Sequence, residues 1–276
     1  PYTLATRRDA PPAERHEVVT QTPLRAEVAF ERPLGVSSSM RQAVRLDAGS
    51  RRLEFHTEVD WHESHTLLKA CFPLTVRAPY ATYEMQFGYA ERPTHGSTSY
   101  DRAKYEVPGH RFADLSEHGF GAALLTDSKY GYSCLGGDLR VSLLRSSKSP
   151  DPEADMGRHV FAYALVPHAG GWRDAGIVAE AALFNAPLVW TDASWAGSFA
   201  SVEGGLVLDT VKRAEGSDAI VLRLYEPHGG RGVARVSLAV PFTSARRASL
   251  LEEPGEEVDL ESLEFRPHEV ITLLVA

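Results

Sequence analysis

His62 and His65 stand three residues apart in the run Trp61-His62-Glu63-Ser64-His65. Imidazoles at that spacing can share a metal ion if the backbone between them is helical. The run lacks the form in which a glutamate general base lies between two histidine ligands on a helix. A turn whose histidines bond backbone carbonyls is the better reading. A denser polar stretch runs from Arg92 to Gly131, RPTHGSTSYDRAKYEVPGHRFADLSEHGFGAALLTDSKYG. Its three histidines, His95, His110 and His118, match no zinc template. As neutral imidazoles they can bridge buried loop groups or hydrogen-bond a sugar hydroxyl, and the structural role carries more weight.

The same stretch holds Asp101, Glu106, Asp114 and Glu117. Glycoside hydrolysis uses two carboxyl groups placed about 5–10 Å apart across a bond, and linear spacing cannot place any two of these so. The expected partners of most are Arg92, Arg102, Lys104 and Arg111. A mutarotase-type epimerase would need a histidine base and a glutamic acid converging in one cleft; His110 or His118 with Glu117 is the weakest of the readings. A Pro-containing loop, Ser146 to His159, follows, and long loops in compact domains tend to be functional. Its Arg158, after Gly157, can project a guanidinium toward a sugar or a neighbouring carboxylate; an ion pair with Asp151, Glu153 or Asp155 is as good a reading. There is no Gly-x-Ser-x-Gly elbow, P-loop or dinucleotide-binding glycine pattern. Gly229-Gly230-Arg231-Gly232 reads as a hairpin loop, and the chain offers no self-sufficient catalytic apparatus.

The elements that must position these groups are strands. Leu53 to Trp61 alternates apolar and charged residues with period two, as a half-buried strand does. Leu68, Ala70, Phe72 and Leu74 repeat the pattern, with the WHESH run as the turn of a hairpin. Phe120–Leu125 and Tyr132–Leu135 form a second expected hairpin around Asp127 to Gly131. Further strands are expected at 140–144, 160–165, 206–211, 220–225, 233–240 and 270–275. Only Asp174–Asn185 carries helical spacing, stopped by Pro187. Many short strands set apart by Gly and Pro indicate an all-β sandwich class. A break around Ala186 to Ser201 divides a larger sandwich, residues 1–190, from a smaller one, residues 191–276.

The 276 residues are 43% hydrophobic, enough for a sizeable core. A net charge of -8 argues against nucleic-acid or anionic-membrane partners. Of the 29 Lys and Arg only Lys69, Lys104, Lys129, Lys148 and Lys212 are lysines. Two cysteines, Cys71 and Cys134, form no disulfide framework and suit a reducing compartment. No window is apolar over the length that a membrane helix needs, and no signal peptide is evident. The chain opens Pro1-Tyr2-Thr3, which reads as a piece of a longer polypeptide.

The Arg92–Gly131 stretch and then LLRSSKSPDPEADMGRHVFAYALVPHAGGWRDAG, with WHESHTLLKACFPL, LDTVKRAEG, VLRLYEPHGG and FRPHEVITLLV, strongly resemble the C-terminal half of class II α-mannosidases, glycoside hydrolase family 38, of the cytosolic type. The resemblance implies a galactose-mutarotase-like β-sandwich followed by a smaller β-sandwich. It implies a retaining α-mannosidase in the cytoplasm whose zinc and nucleophilic aspartate lie on an N-terminal barrel outside these residues. No catalytic residue, metal ligand or cofactor is then expected in this chain. Its partners would be that barrel and an α-mannoside or oligosaccharide, with a homo-oligomer left open. Asp155-Met156-Gly157-Arg158 looks similar to a Gly-Arg element that reaches substrate in relatives, which makes Arg158 the one candidate substrate-binding residue. The alternative is a stand-alone carbohydrate-binding module, which needs exposed aromatic platforms; Trp172, Trp190 and Trp195 are its candidates.

Overall fold

A computed structural model describes residues 6–186, 188–192 and 196–276. The chain divides into two compact units, Pro1–Glu84 with Glu91–Pro187, and Met85–Ala90 with Leu188–Ala276. Both are built almost wholly of antiparallel strands.

Residues 15–185 contain β1 (Arg15–Gln21), β2 (Arg25–Leu34), β3 (Ser38–Asp47), β4 (Leu53–Trp61), β5 (Leu67–Pro73), β6 (Tyr80–Met85), β7 (Gly88–Pro93), the short helix α1 (Ser99–Ala103), β8 (Val107–Pro108), β9 (Phe112–Glu117), β10 (Phe120–Thr126), β11 (Gly131–Leu135), β12 (Asp138–Arg145), β13 (Gly157–Ala169) and helix α2 (Ile177–Asn185). They form a nine-stranded sheet, β1-β2-β3-β4-β13-β10-β9-β6-β7, and a four-stranded sheet, β5-β12-β11-β8. The alternation in the sequence explains how they pack. Val59, Trp61, Leu115, Leu124 and Phe161 on the large sheet meet Tyr132, Leu139, Val141 and Leu143 on the small one in a single apolar core. On the other face of the large sheet, Ile177, Val178 and Ala181 of α2 are buried, and Trp172 packs on Phe112 with ring centroids 5.8 Å apart.

The second unit contains β14 (Ala200–Glu203), β15 (Val207–Arg213), β16 (Ile220–Tyr225), β17 (Gly232–Leu238), β18 (Ala245–Ala248), β19 (Pro254–Glu257), β20 (Leu263–Phe265) and β21 (Val270–Val275). A three-stranded sheet, β14-β17-β20, faces a five-stranded one, β15-β16-β21-β18-β19. Leu222, Leu224, Ile271 and Leu273 from one and Val236, Leu263 and Phe265 from the other make its core.

The nearly all-β sandwich architecture is the expected one, but three connections differ from the expected hairpins. β4 pairs with β3 and β13, whereas β5 pairs with β12, so the WHESH run carries the chain from one sheet to the other. β10 pairs with β9 and β13, and β11 with β12 and β8, so Asp127 to Tyr130 also changes sheets. Residues 226–231 do the same between β16 and β17. The reason lies in side-chain anchoring. The buried carboxylate of Glu63 accepts hydrogen bonds from the Val36 and Ser37 N–H groups at 2.9 Å and from the Ser38 hydroxyl at 2.9 Å, which ties the WHESH run across the β2–β3 turn. A Cβ on Gly35 would overlap that carboxylate, so only glycine fits there. The strands on either side of these crossings close tight hairpins instead, β9–β10 through His118-Gly119 and β11–β12 through Gly136-Gly137.

Helix α2 begins at Ile177, three residues later than its spacing predicts, because Gly176 adopts φ +70° at its start; Pro187, its expected stop, lies outside the described residues. Helix α1 is an addition, closed by a capping box in which Thr98 and Asp101 bond each other's backbone N–H.

Candidate functional site

Arg158 is the second residue of β13, beside Asp60 of β4 in register. Its Nε donates a 2.7 Å hydrogen bond to Glu58 Oε1, and its side chain remains 69% exposed. Neither terminal amino group bonds any other described residue. None of Asp151, Glu153 and Asp155 pairs with it, contrary to the local ion pair weighed from sequence. Asp151 instead accepts the Glu153 N–H, and Asp155 accepts the Arg145 N–H, both turning inward on their own loop. The ion pair lowers the Glu58 carboxyl below its ordinary value, through the hydrogen bond from Arg158, and raises the guanidinium correspondingly.

Glu58 is also the end of a ladder. Arg15, Glu31, Arg41 and Glu58 lie opposite one another on β1, β2, β3 and β4. The face thus runs plus, minus, plus, minus across four strands, and Arg158 adds a fifth, positive member. Period-two alternation places these residues on the solvent side. Exposed ion pairs of this kind add little to the stability of the fold.

The Arg92–Gly131 stretch does not converge on a site. Asp101 caps α1 and lies 3.6 Å from His95 Nδ1. Glu106 contacts Lys69 Nζ and accepts a 2.5 Å bond from Ser142, pinning its loop to the small sheet. Burial and nearby Arg140 push Lys69 down to about 8, while the Glu106 carboxylate in direct contact favours its charged form. Asp114 is buried against His168, 2.7 Å away, and accepts the Ser116 hydroxyl. Glu117 accepts the Arg77 N–H at 2.7 Å. None of the four pairs in these networks with Arg92, Arg102, Lys104 or Arg111. Arg111 binds Glu84, whose carboxylate also takes the Arg111 N–H, and Arg102 reaches the Gly96 carbonyl.

The histidines are structural in the same way. His62 Nε2 lies 2.8 Å from Asp60, and the His65 N–H donates to the Ser146 carbonyl from a left-handed backbone conformation. His110 stacks on Tyr130 with centroids 5.9 Å apart, and no hydrogen bond joins it or His118 to Glu117. Among the described residues no group of three or more His, Cys, Asp or Glu is placed to hold a metal ion. The described residues therefore do not fit a zinc centre.

Of the aromatic platforms, Trp172 is buried and Arg173 covers its ring at 4.4 Å, which removes it from the sugar-facing candidates. Trp190 is 90% exposed, and Trp195 lies outside the described residues. Cys71 and Cys134 are free thiols. They oppose Arg140 and Leu139, adjacent residues of β12, and so point to opposite faces of the small sheet. No described helix is long and apolar enough to cross a membrane.

Residues 3–153 match the model of the glycosyl hydrolases family 38 C-terminal domain, and residues 205–273 match that of the family 38 C-terminal beta sandwich domain. The chain belongs to glycosyl hydrolase family 38, as its C-terminal domains. It is 45% identical over 274 residues to alpha-mannosidase 2C1 of Homo sapiens, covering 94% of this chain and 26% of that protein. Alpha-mannosidase G of Dictyostelium discoideum is 40% identical over 80% of this chain, which is 21% of its own length. The chain thus spans about a quarter of the curated relatives it matches. A crystal structure of an alpha-mannosidase from Enterococcus faecalis V583 superposes with a TM-score of 0.80 at 17% identity, over 94% of this chain and 35% of that one, which establishes the shared fold.

Proposed function

We propose that this chain is the C-terminal β-sandwich region of a retaining α-mannosidase that hydrolyses α-mannosides in the cytoplasm. Its two parts, residues 1–190 and 191–276, support a zinc-dependent catalytic barrel elsewhere in the longer protein and lend loops to the rim of its cleft. Arg158 contacts the substrate. The observation that carries this reading is the 45% identity to alpha-mannosidase 2C1 along nearly the whole chain. Two compact units with separate cores support the division, and two free thiols suit a reducing compartment.

The chemistry follows from what the chain holds and what it lacks. Its buried carboxylates are committed to backbone N–H groups, hydroxyls or side-chain cations, so none is poised as an acid or nucleophile. Arg158 keeps its terminal donors open. A guanidinium there binds and orients hydroxyls and transfers no proton, because it stays protonated at any working pH.

The test is hydrolysis of p-nitrophenyl α-mannoside. The full-length enzyme turns it over, and the 276-residue chain alone does not, with or without zinc. Turnover by the isolated chain would move the chemistry into these residues. Tight mannose binding by the isolated chain would favour a binding module, with exposed Trp190 as its platform.

A further inference from the structure

The unused half of the Arg158 guanidinium has a cause. A guanidinium on a flexible stem at an exposed strand end samples many rotamers, and a donor pair that must meet hydroxyls loses affinity for each rotamer it has to give up. Glu58 removes that freedom from the next strand. It takes the Nε–H at 2.7 Å and leaves the two terminal amino groups without a bond to any other described residue. Arg41 stands beside Glu58 in register on β3, with Glu31 opposite Arg41 on β2, and the charge of Arg41 favours the Glu58 carboxylate. Among described residues, Arg41 in turn bonds Glu17 at 2.8 Å and lies 3.8 Å from Glu31.

The pairing also selects the ligand. With its charge already matched by Glu58, Arg158 offers directional donors with little net charge. That suits the vicinal hydroxyls of a neutral sugar rather than a carboxylate or phosphate, which an unpaired guanidinium would prefer.

We propose that Glu58 is the positioning residue of Arg158, fixing its guanidinium so that the two terminal amino groups meet hydroxyls of a neutral α-mannoside. This rests on the reading of Arg158 as a substrate contact. The groups concerned are Glu58, Arg41 and Arg158 on three adjacent strands, and no described group other than Glu58 bonds Arg158.

The experiment uses the full-length enzyme with p-nitrophenyl α-mannoside, reading kcat and KM separately, and melting temperature beside them. R158A is expected to raise KM about tenfold, and E58A about threefold, with kcat and melting temperature nearly unchanged. E58Q, which still accepts the Nε–H, recovers most of the E58A loss. The double variant E58A/R158A is no worse than R158A alone, because Glu58 acts only through Arg158. If R158A raises KM and E58A does not, Glu58 has no positioning role and the reading of Arg158 stands. If R158A behaves as wild type, the substrate contact itself is wrong and Glu58 loses its role with it. A fall in melting temperature with unchanged KM in E58A would make the pair structural only.

Discussion

The imidazole Nε2 of His168 lies 2.7 Å from Oδ2 of Asp114, with both side chains buried on the face of the large sheet opposite its main core. β9 and β13 flank β10, so the pair spans the strand between them. Asp114 Oδ1 accepts the Ser116 hydroxyl, and His168 Nδ1 has no partner among the described residues. A buried polar pair of this kind is costly to break on one side only. Asp114→Ala is expected to cost about 3 kcal/mol, and the double change with His168→Ala less than the sum of the two singles. Urea unfolding of the three variants measures it; additive losses would mean the two groups do not interact.

Gly121 is what lets that pair form. It opposes His168 in register, and a Cβ there would stand 2.6 Å from His168 Cε1 and overlap the Ser116 hydroxyl. Gly121→Ala is therefore expected to destabilise by about 1–3 kcal/mol, which lowers Tm by several degrees. A calorimetric melt reads this directly. An unchanged Tm would show that the sheet opens at no cost.

Glu63 and Glu226 predict the acid limit of each unit. For both, burial alone would raise the carboxyl. Backbone N–H donors outweigh it: Ser37 and Val36 for Glu63, and His268, Gly230, His228 and Gly229 for Glu226. Both lie below the ordinary value of 4.5. A carboxyl depressed in the folded state contributes stability fully present above its unfolded value and lost as pH falls through its folded value. Stability is thus expected to be flat from neutral pH down to about 5 and to fall below that. Glu63→Gln should flatten the fall for the first unit alone, as tryptophan fluorescence of buried Trp61 would follow.

The two thiols should separate in a labelling experiment. Burial pushes Cys134 up to about 12, and its side chain packs against the core. At pH 8 it is expected to stay unlabelled by a thiol reagent until the chain unfolds, whereas Cys71, on the other face of the sheet, reacts first. Equal rates for both would contradict the placement of Cys134.

Strands with strict alternation were legible in the sequence. Leu53–Trp61 falls where period two puts it, and the apolar runs Ile220–Tyr225 and Val270–Val275 are strands over the expected residues. Strand partners were not legible, because alternation says which face is buried and nothing about which strand lies beside it. Asp127 to Gly131 looks like a hairpin turn by composition, yet the hairpins before and after it turn at His118-Gly119 and Gly136-Gly137. β2 and β3 went unread, since their charged ladder residues dilute the apolar pattern. The Glu58 partner of Arg158 lies 100 residues away, beyond any local reading. The resemblance supplied Arg158; the sheet register supplied what holds it.

The register of β13 on β4 also sets the order of assembly during synthesis. Glu58 and Arg158 lie 100 residues apart, and Gln42 and Tyr163 lie 121 apart. At roughly 5–20 residues per second, a ribosome needs about 5–20 s to deliver β13 after β4. Through that interval the nascent chain carries an unpaired strand edge and an open apolar face, the kind of surface that chaperones bind and that aggregates when they do not.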